Sequence, residues 1–300
     1  MKKRIIMSLC IIIVIGTLIG CGSSQPKSSS KKDSKQTECL QTLKKGLEER
    51  WDMPDGSSLD EDTKLYAECA QNELKNMKKY EDVTFEDEDF TSIIQEYIAA
   101  LNSQVIGAEY FIKDSDQFED LYNVKGYDVR SKCVKKLVDK YKFSVSKKYK
   151  DNLKDFISGK RMKWTSTGES KEVTVDYGKV KIQVDGFKRT GWEQYEEQLE
   201  TGSFIGAIEC TVENETYEDE YNPNYILSEN IMVIMDDEFV TKTPYSTGYS
   251  PVDEYDIVAG GMIPNGAKTK VGIPCVFTEN QTRAVVQLGE EYLVVVNLEN

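Results

Sequence analysis

The chain has 300 residues, a formal net charge of −14 and no histidine. The acidic balance excludes a non-specific nucleic-acid binder, because such proteins hold phosphate with a net basic surface. The lack of histidine excludes the Ser-His-Asp triad, the Cys-His pair and the zinc sites that use histidine.

The first twenty residues predict a signal for export. Lys2, Lys3 and Arg4 precede the uncharged apolar run 5–20. As a helix this run rises about 24 Å, less than the roughly 30 Å of a hydrocarbon core. A basic head before a short apolar run is typical of a secretory signal peptide, here 1–20. The alternative is an uncleaved anchor, and both interpretations place the rest of the chain outside the cytoplasm.

The apolar run ends at Leu18-Ile19-Gly20-Cys21, which resembles the lipobox of bacterial lipoproteins. The resemblance implies that a diacylglyceryl group is attached to Cys21 and that cleavage makes this residue the new N-terminus. Loss of the three leader cations would lower the net charge to −17. Residues 21–36 lack large apolar side chains and predict a flexible linker.

Residues 37–163 predict an antiparallel helical bundle, because apolar residues recur there at steps of three and four. Gly159 is a candidate C-cap. The expected helices are about 37–51, 66–77, 91–112, 129–141 and 147–158.

A basic stretch lies within this region. Residues 125–163 hold fourteen Lys and Arg against four Asp. One interpretation is a cationic face for anionic lipid head groups or wall polymers. The other is a solvated helix face that pairs in part with the acidic segment 81–90.

From about residue 171 the apolar period changes to two, as Val180, Ile182 and Val184 illustrate. About seven short strands without helices between them predict an antiparallel β-sandwich over 171–300. The predicted fold class is therefore α+β with two domains, a helical bundle followed by an immunoglobulin-like sandwich. The later expected strands are 226–235, 238–243, 255–262, 268–278 and 284–297.

The segments VKIQVDGF, FIGAIECTVENET, IMVIMDDEF and MIPNGAKTKVGIPCVF together resemble the immunoglobulin-like domain of Gram-positive surface lipoproteins. That family includes the immunoprotective extracellular and telomeric-factor-like lipoprotein domains. The resemblance covers about 172–298, although Pro264-Asn265-Gly266 is one residue longer than the family's Pro-Gly step. It implies an extracellular binding or structural module and no reaction.

Cys210 and Cys275 fall on inward faces of what the strand count makes the second and sixth strands. Immunoglobulin folds carry their cross-sheet disulfide on those strands. A disulfide and two buried free thiols both remain open interpretations. A bond between Cys39 and Cys69, on the first two helices, is a further option.

If consecutive strands alternate in direction, the loops 214–225, 243–254 and 279–283 emerge at one pole. The first two are rich in Tyr, Ser, Asn and Gly, the mixture found in adaptable binding loops. The tyrosines either form a ligand-facing patch or fold back onto the sandwich. The candidate partner-binding residues are Tyr217, Tyr221, Tyr225, Tyr245, Tyr249 and Tyr255.

These patterns predict an exported lipoprotein, held by Cys21 at the outer face of the cell membrane, that acts as a non-catalytic binding module. We expect no enzyme activity, cofactor, metal or nucleic-acid partner. The expected partners are the membrane, through the diacylglyceryl anchor, and a protein or cell-envelope polymer. The alternative is an accessory or structural subunit of an envelope complex that docks through the helical domain.

Overall fold

The computed structural model describes residues 34–54, 59–175, 178–189, 199, 201–215, 231–235, 238–239 and 266–298. Helices fill the N-terminal half and two largely antiparallel sheets fill the C-terminal half. The predicted α+β class is therefore confirmed.

The helices are α1 (Ser34–Trp51), α2 (Leu59–Met77), α3 (Glu88–Gly107), α4 (Ser115–Gln117), α5 (Val129–Tyr141) and α6 (Lys150–Ser158). Short 3₁₀ turns occupy Lys78–Tyr80, Ala108–Tyr110 and Lys147–Tyr149, and a π-helix spans Phe118–Asp128. The strands are β1 (Lys163–Thr165), β2 (Ser170–Val175), β3 (Gly178–Arg189), β4 (Ser203–Asn214), β5 (Ile231–Met235), β6 (Glu238–Phe239), β7 (Lys268–Thr278), β8 (Arg283–Leu288) and β9 (Tyr292–Asn297).

Contacts group the described residues into two compact units. The helical unit contains 34–54, 64–106 and 124–160, and the sheet unit contains 59–63, 107–123 and the described residues from 161 onward. The segment 107–123 lies inside the predicted helical domain, yet it groups with the sheets.

Trp164 in β1 explains this grouping. The ring centroids of Phe111 and Phe118 lie 5.2 and 5.5 Å from that of Trp164. Glu119 accepts the backbone N–H of Trp164 at 3.0 Å and pairs with Arg161 at 2.8 Å. The rings of Phe111 and Phe118 are thus covered by an aromatic side chain from much later in the chain, a contact that local periodicity does not reveal.

The core of the helical unit comes from the predicted apolar stripes. Leu43, Leu47, Ile94, Leu101 and Leu137 are all at most 1% exposed. Fully burying one such side chain contributes about 1.5–3 kcal/mol. These stripes therefore account for the helical packing.

Helix ends in this unit follow from capping. The carboxylate of Asp87 accepts the N–H of Phe90 at 3.0 Å, so α3 begins slightly before its predicted start. At the end of α6, Gly159 has a φ of +68° and donates its N–H to the carbonyl of Phe156. The predicted C-cap at Gly159 is confirmed.

The sheet unit contains a four-stranded sheet in the order β2-β3-β4-β7 and a five-stranded sheet in the order β1-β9-β8-β5-β6. All pairings are antiparallel except β1 with β9. One apolar core joins the inner faces of both sheets. Its members include Val180, Ile182, Ile208, Val286 and Val294.

The strand boundaries agree with the predicted ones in part. The predicted strand 268–278 coincides with β7, whereas 284–297 is divided into β8 and β9 by a turn. Gly289 in that turn has a φ of +55°, which favours glycine. The predicted strand 255–262 lies outside the described residues.

Gly206 in β4 is held against aromatic rings. A Cβ there would fall 2.7 Å from Cζ of Phe187 and 3.0 Å from Cε2 of Phe277. Because Phe277 is fully buried, its ring has little room to move. The core thus requires glycine at this position.

We expect Gly206→Ala to lower the free energy of unfolding by about 1–3 kcal/mol, because it overpacks this contact. Chemical denaturation followed by circular dichroism would measure the loss. In a Phe187→Ala background the same substitution should cost less, since the ring that blocks the Cβ is gone. Equal costs in the two backgrounds would contradict the steric explanation.

Candidate functional site

Seven predicted site residues lie outside the described part of the chain. They are the lipidation residue Cys21 and the six tyrosines Tyr217, Tyr221, Tyr225, Tyr245, Tyr249 and Tyr255. Their roles remain predictions. The described residues do show where the tyrosine-rich segments join the sheets.

The end of β4 lies beside the start of β7. Asn214 donates its N–H to the carbonyl of Ala267 at 3.1 Å, and Gly266 donates its N–H to the carbonyl of Asn214 at 2.6 Å. Segment 216–230 follows β4, and segment 240–265 precedes Gly266. The N-terminal end of segment 216–230 and the C-terminal end of segment 240–265 are therefore attached at neighbouring points of the four-stranded sheet.

The β8–β9 turn lies at this same pole. A Cβ on Gly289 would be 3.0 Å from Val173 of β2. Val173 is opposite Val180 of β3, and Val180 is opposite Asn214 at the end of β4. The predicted third loop, 279–283, is at the opposite pole, because Glu279 donates its N–H to the carbonyl of Gly202 at the start of β4. That part of the prediction is wrong, since β7 runs antiparallel to β4 and ends where β4 begins.

Cys210 and Cys275 are free and fully buried, so of the two open interpretations this structure has the buried free thiols and not the disulfide. They lie on neighbouring strands of one sheet, where Cys210 pairs with Val271 and Cys275 with Gly206. An offset of four residues separates them by about 13 Å along the strands. A disulfide needs Cα atoms within about 7 Å. Their inward orientation was predicted correctly.

Cys39 and Cys69 are also free. Thr42, one turn beyond Cys39, contacts Tyr80 through their hydroxyls. Cys69 lies eleven residues before Tyr80, or about 16 Å along a helix. A bond between Cys39 and Cys69 is therefore excluded by the alignment of α1 and α2.

The helical unit contains a buried ionic network that the sequence patterns did not single out. Oε2 of Glu73 accepts Nη2 of Arg130 at 2.5 Å and Nη1 of Arg50 at 3.1 Å. Oε1 of Glu73 accepts the hydroxyl of Tyr97. The amide oxygen of Gln104 accepts Nη1 of both arginines, at 2.8 and 3.0 Å.

This network joins four helices. Arg50 belongs to α1, Glu73 to α2, Tyr97 and Gln104 to α3, and Arg130 to α5. Glu73 and Arg130 are each 1% exposed. The Arg130 guanidinium also lies over two rings, 5.1 Å from the centroid of Tyr97 and 5.3 Å from that of Phe156.

The protonation states of the network are fixed at neutral pH. Burial by itself raises the pKa of Glu73, but the Arg130 and Arg50 guanidiniums outweigh it and the pKa is lowered. Burial raises the pKa of Tyr97 far above its usual range. Glu73 is thus ionised and Tyr97 protonated, and neither is poised for proton transfer near pH 7. The network is suited to holding helices together.

A signal for this network exists in the sequence. Arg130 precedes Cys133, Val134 and Leu137 by three, four and seven residues. Glu73 follows the apolar residue Ala70 by three residues and precedes Met77 by four. A charged residue on an apolar helix stripe must find a partner when it is buried.

The basic stretch is partly paired, as one of its interpretations predicts. Lys140 pairs with Asp89 at 2.8 Å, and the Tyr141 hydroxyl donates to Asp87 at 2.9 Å. Lys132 and Lys135 on α5 are exposed. Binding of this face to lipid or wall polymer stays a prediction.

In the described ranges, no group of three or more Cys, Asp or Glu is placed to hold a metal ion. None of the helices described is long and apolar enough to cross a membrane. No known protein family, curated protein or solved structure matches the chain.

We expect Glu73→Gln to lower the free energy of unfolding by about 3–5 kcal/mol, because it leaves the buried arginines facing a neutral amide. Denaturation followed by circular dichroism would measure it. Glu68→Gln, an exposed position on the same helix, is the matched control and should change stability by less than about 0.5 kcal/mol.

The stability difference between the wild type and Glu73→Gln should depend on pH. The folded-state pKa of Glu73 lies below its ordinary 4.5, so its contribution is complete above pH 4.5 and is lost as pH falls through the folded pKa. The stability difference between the wild type and Glu73→Gln should therefore shrink in acid. A difference that stays constant as the pH is lowered would contradict the ionised state of Glu73.

The thiols give a separate prediction. Cys39, Cys133, Cys210 and Cys275 are fully buried, and burial raises the pKa of Cys39 and of Cys133 to about 12. In the folded chain at pH 8, an alkylating reagent should label half-exposed Cys69 well before these four. Peptide mapping would measure the order of labelling.

Unfolding without a reductant is the control. All five of these cysteines should then be labelled, since none is bonded in the structure. If Cys210 and Cys275 both resisted labelling until a reductant was added, they would be joined by a disulfide and this structure would be contradicted.

Proposed function

We propose that the chain is an exported lipoprotein, anchored through Cys21 at the outer face of the cell membrane, that acts as a non-catalytic binding module. In this proposal it has two domains, and the two sheets form an immunoglobulin-like sandwich. The partner is a protein or cell-envelope polymer. No reaction, cofactor or nucleic acid is assigned to it.

The strand order supports the immunoglobulin-like assignment. In that fold, strands A, B and E share one sheet, and C′, C, F and G can share the other. β3, β4 and β7 pair in the order of A, B and E, and β6, β5, β8 and β9 pair in the order of C′, C, F and G. Cys275 then lies on the strand in the E position, and the strand in the F position, β8, carries no cysteine. β1 and β2 are additional edge strands.

The observation that carries the binding proposal is the junction of Asn214 with Gly266 and Ala267. It brings one end of each tyrosine-rich segment to a single pole of the sheets. β4 and β7 pair along their length through eleven residue pairs. Both segments are therefore attached to a rigid part of the sheet. Loops on a rigid scaffold, rich in Tyr and small polar residues, are the usual form of an adaptable binding surface.

We expect replacement of Tyr221, Tyr245 and Tyr249 by alanine to abolish partner capture from a cell-envelope fraction. Buried interface tyrosines often contribute about 2 kcal/mol or more each. A pull-down with the anchored chain as bait would measure capture, and thermal unfolding should be unchanged. Undiminished capture by this variant would reject the assignment.

The matched control uses two half-exposed tyrosines elsewhere. Tyr66→Ala with Tyr110→Ala should leave capture unchanged. The anchor is tested separately by the intact mass of the membrane-extracted chain, which should begin at an acylated Cys21. Cys21→Ala should prevent acylation, and an unacylated wild-type chain with its leader intact would contradict export by this route.

A second candidate function, docking of an accessory subunit through the helices, is favoured by two exposed apolar side chains. Ile106 and Val124 are 54% and 45% exposed. If they form the docking surface, Ile106→Ser with Val124→Ser should abolish capture while the tyrosine variant retains it. The same pull-down therefore separates the two candidates.

A further inference from the structure

The lysines of α5 divide into a paired set and an unpaired set. Lys136 pairs with Glu96 at 3.0 Å, and Lys140 pairs with Asp89 at 2.8 Å. Both carboxylates belong to α3. The positive charge on the side of α5 that is nearest α3 is therefore neutralised.

The other two lysines of α5 have no such partner. Lys132 and Lys135 are exposed, and neither ammonium group has a hydrogen bond or ion pair with any residue that the structure describes. Their spacing of three places them on one face of the helix, away from the buried Val134 and Leu137. Asp139 is the only acidic residue of α5 and lies one turn beyond Lys135. This face of the helix therefore carries unpaired positive charge.

A third lysine joins this face from the end of α6. The Ser131 hydroxyl donates to the carbonyl of Phe156 at 2.7 Å, and a Cβ on Gly159 would lie 3.7 Å from the same hydroxyl oxygen. Lys160 follows Gly159, and Lys132 follows Ser131, so both lysines lie at this junction of the two helices. Lys160 is exposed, and its ammonium group has no partner in the described part of the chain either.

We propose that Lys132, Lys135 and Lys160, which we name the lysine face, bind the anionic lipid head groups of the membrane that carries the chain. This role depends on the proposed anchor at Cys21. The group recognised is the phosphate of the head group, which an ammonium group binds as a point charge. Each lysine near an anionic surface strengthens the attraction about fivefold, so three of them contribute roughly 100-fold.

The charge of the whole chain gives this face its importance. The net charge is −14, and an anionic membrane repels such a protein within the screening length, which is about 8 Å in physiological salt. Residues 125–163 are the exception, with fourteen Lys and Arg against four Asp. Contact with the membrane is therefore favourable when the lysine face is turned toward it, and the contact orients the helical unit.

The predicted linker supplies the proximity that this contact needs. Residues 21–33 separate the proposed lipid from α1, which begins at Ser34. A flexible chain of this length spans about 20 Å. The anchor then makes the contact intramolecular, with an effective concentration on the order of millimolar. A soluble wall polymer lacks this advantage, so the membrane is the favoured ligand.

The test uses the full chain bound to lipid vesicles. Either an acyl group or the uncleaved leader holds the chain there, so failure of the export proposal does not affect the result. On vesicles of phosphatidylcholine with phosphatidylglycerol, a water-soluble amine reagent should label Lys132, Lys135 and Lys160 about fivefold more slowly than on phosphatidylcholine alone. Peptide mass spectrometry would measure each rate.

Lys75 is the internal control for the reagent. It is exposed and lies two residues after Glu73, whose carboxylate contacts Arg130 of α5. Two residues correspond to about 200° around a helix, so Lys75 is on the side of α2 away from α5. Its labelling rate should be the same on both kinds of vesicle.

A double variant tests whether the charges act together. Lys132→Gln with Lys160→Gln leaves Lys135 as the reporter, and its protection by phosphatidylglycerol should fall below about twofold. Lys64→Gln with Lys75→Gln removes the same charge from exposed positions of α2 and should leave the protection of Lys135 unchanged. Thermal unfolding checks that each variant keeps its fold.

Equal labelling of the lysine face on neutral and anionic vesicles would overturn the proposal, as would equal protection of Lys135 in the two double variants. Soluble polyglycerol phosphate, added to the chain on neutral vesicles at the same phosphate concentration, should give no protection. If it protects the lysine face as well as the anionic vesicles do, the ligand is a wall polymer and the proposal is overturned. The intact mass and the tyrosine pull-down test the anchor and the binding loops separately.

Discussion

The helical unit depends on one buried carboxylate, that of Glu73, which receives hydrogen bonds from three other helices. Apolar contacts are non-directional, so stripes of leucine and isoleucine alone tolerate a shift of one helix along another. Charge-assisted hydrogen bonds do not, because a shift leaves a buried charge unpaired at a cost of several kcal/mol. We interpret the network as the device that selects one alignment of α1, α2, α3 and α5.

Much of this unit follows from the sequence, because helical periodicity is a local property. The stripes of Leu43, Ile94 and Leu137 predict which faces are buried. Three features do not follow. The partners of Arg130 lie on other helices, and the neighbours of 107–123 include Trp164, whose position depends on tertiary structure. The π-helix at Phe118–Asp128 likewise has no periodic signature that separates it from an α-helix.

The sheets show a similar division. Alternation along Val180, Ile182 and Val184 predicts which side chains face inward, and it correctly places Cys210 and Cys275 in the core. Alternation does not tell which strands are neighbours. The order of strands puts both cysteines in one sheet and moves the 279–283 turn to the other pole. The proposed binding pole could thus be located from sequence only in part, since its attachment points depend on the pairing of β4 with β7.

The bonds of Asn214 to Gly266 and Ala267 join the end of β4 to the residues just before its paired strand β7. The entropic cost of closing a chain between fixed ends rises slowly, by about 0.6 kcal/mol for each doubling of its length. Insertions and deletions beyond these points therefore leave the register of β4 and β7 intact. This end of the molecule can therefore accept changes in length as well as in composition without repacking of the interior.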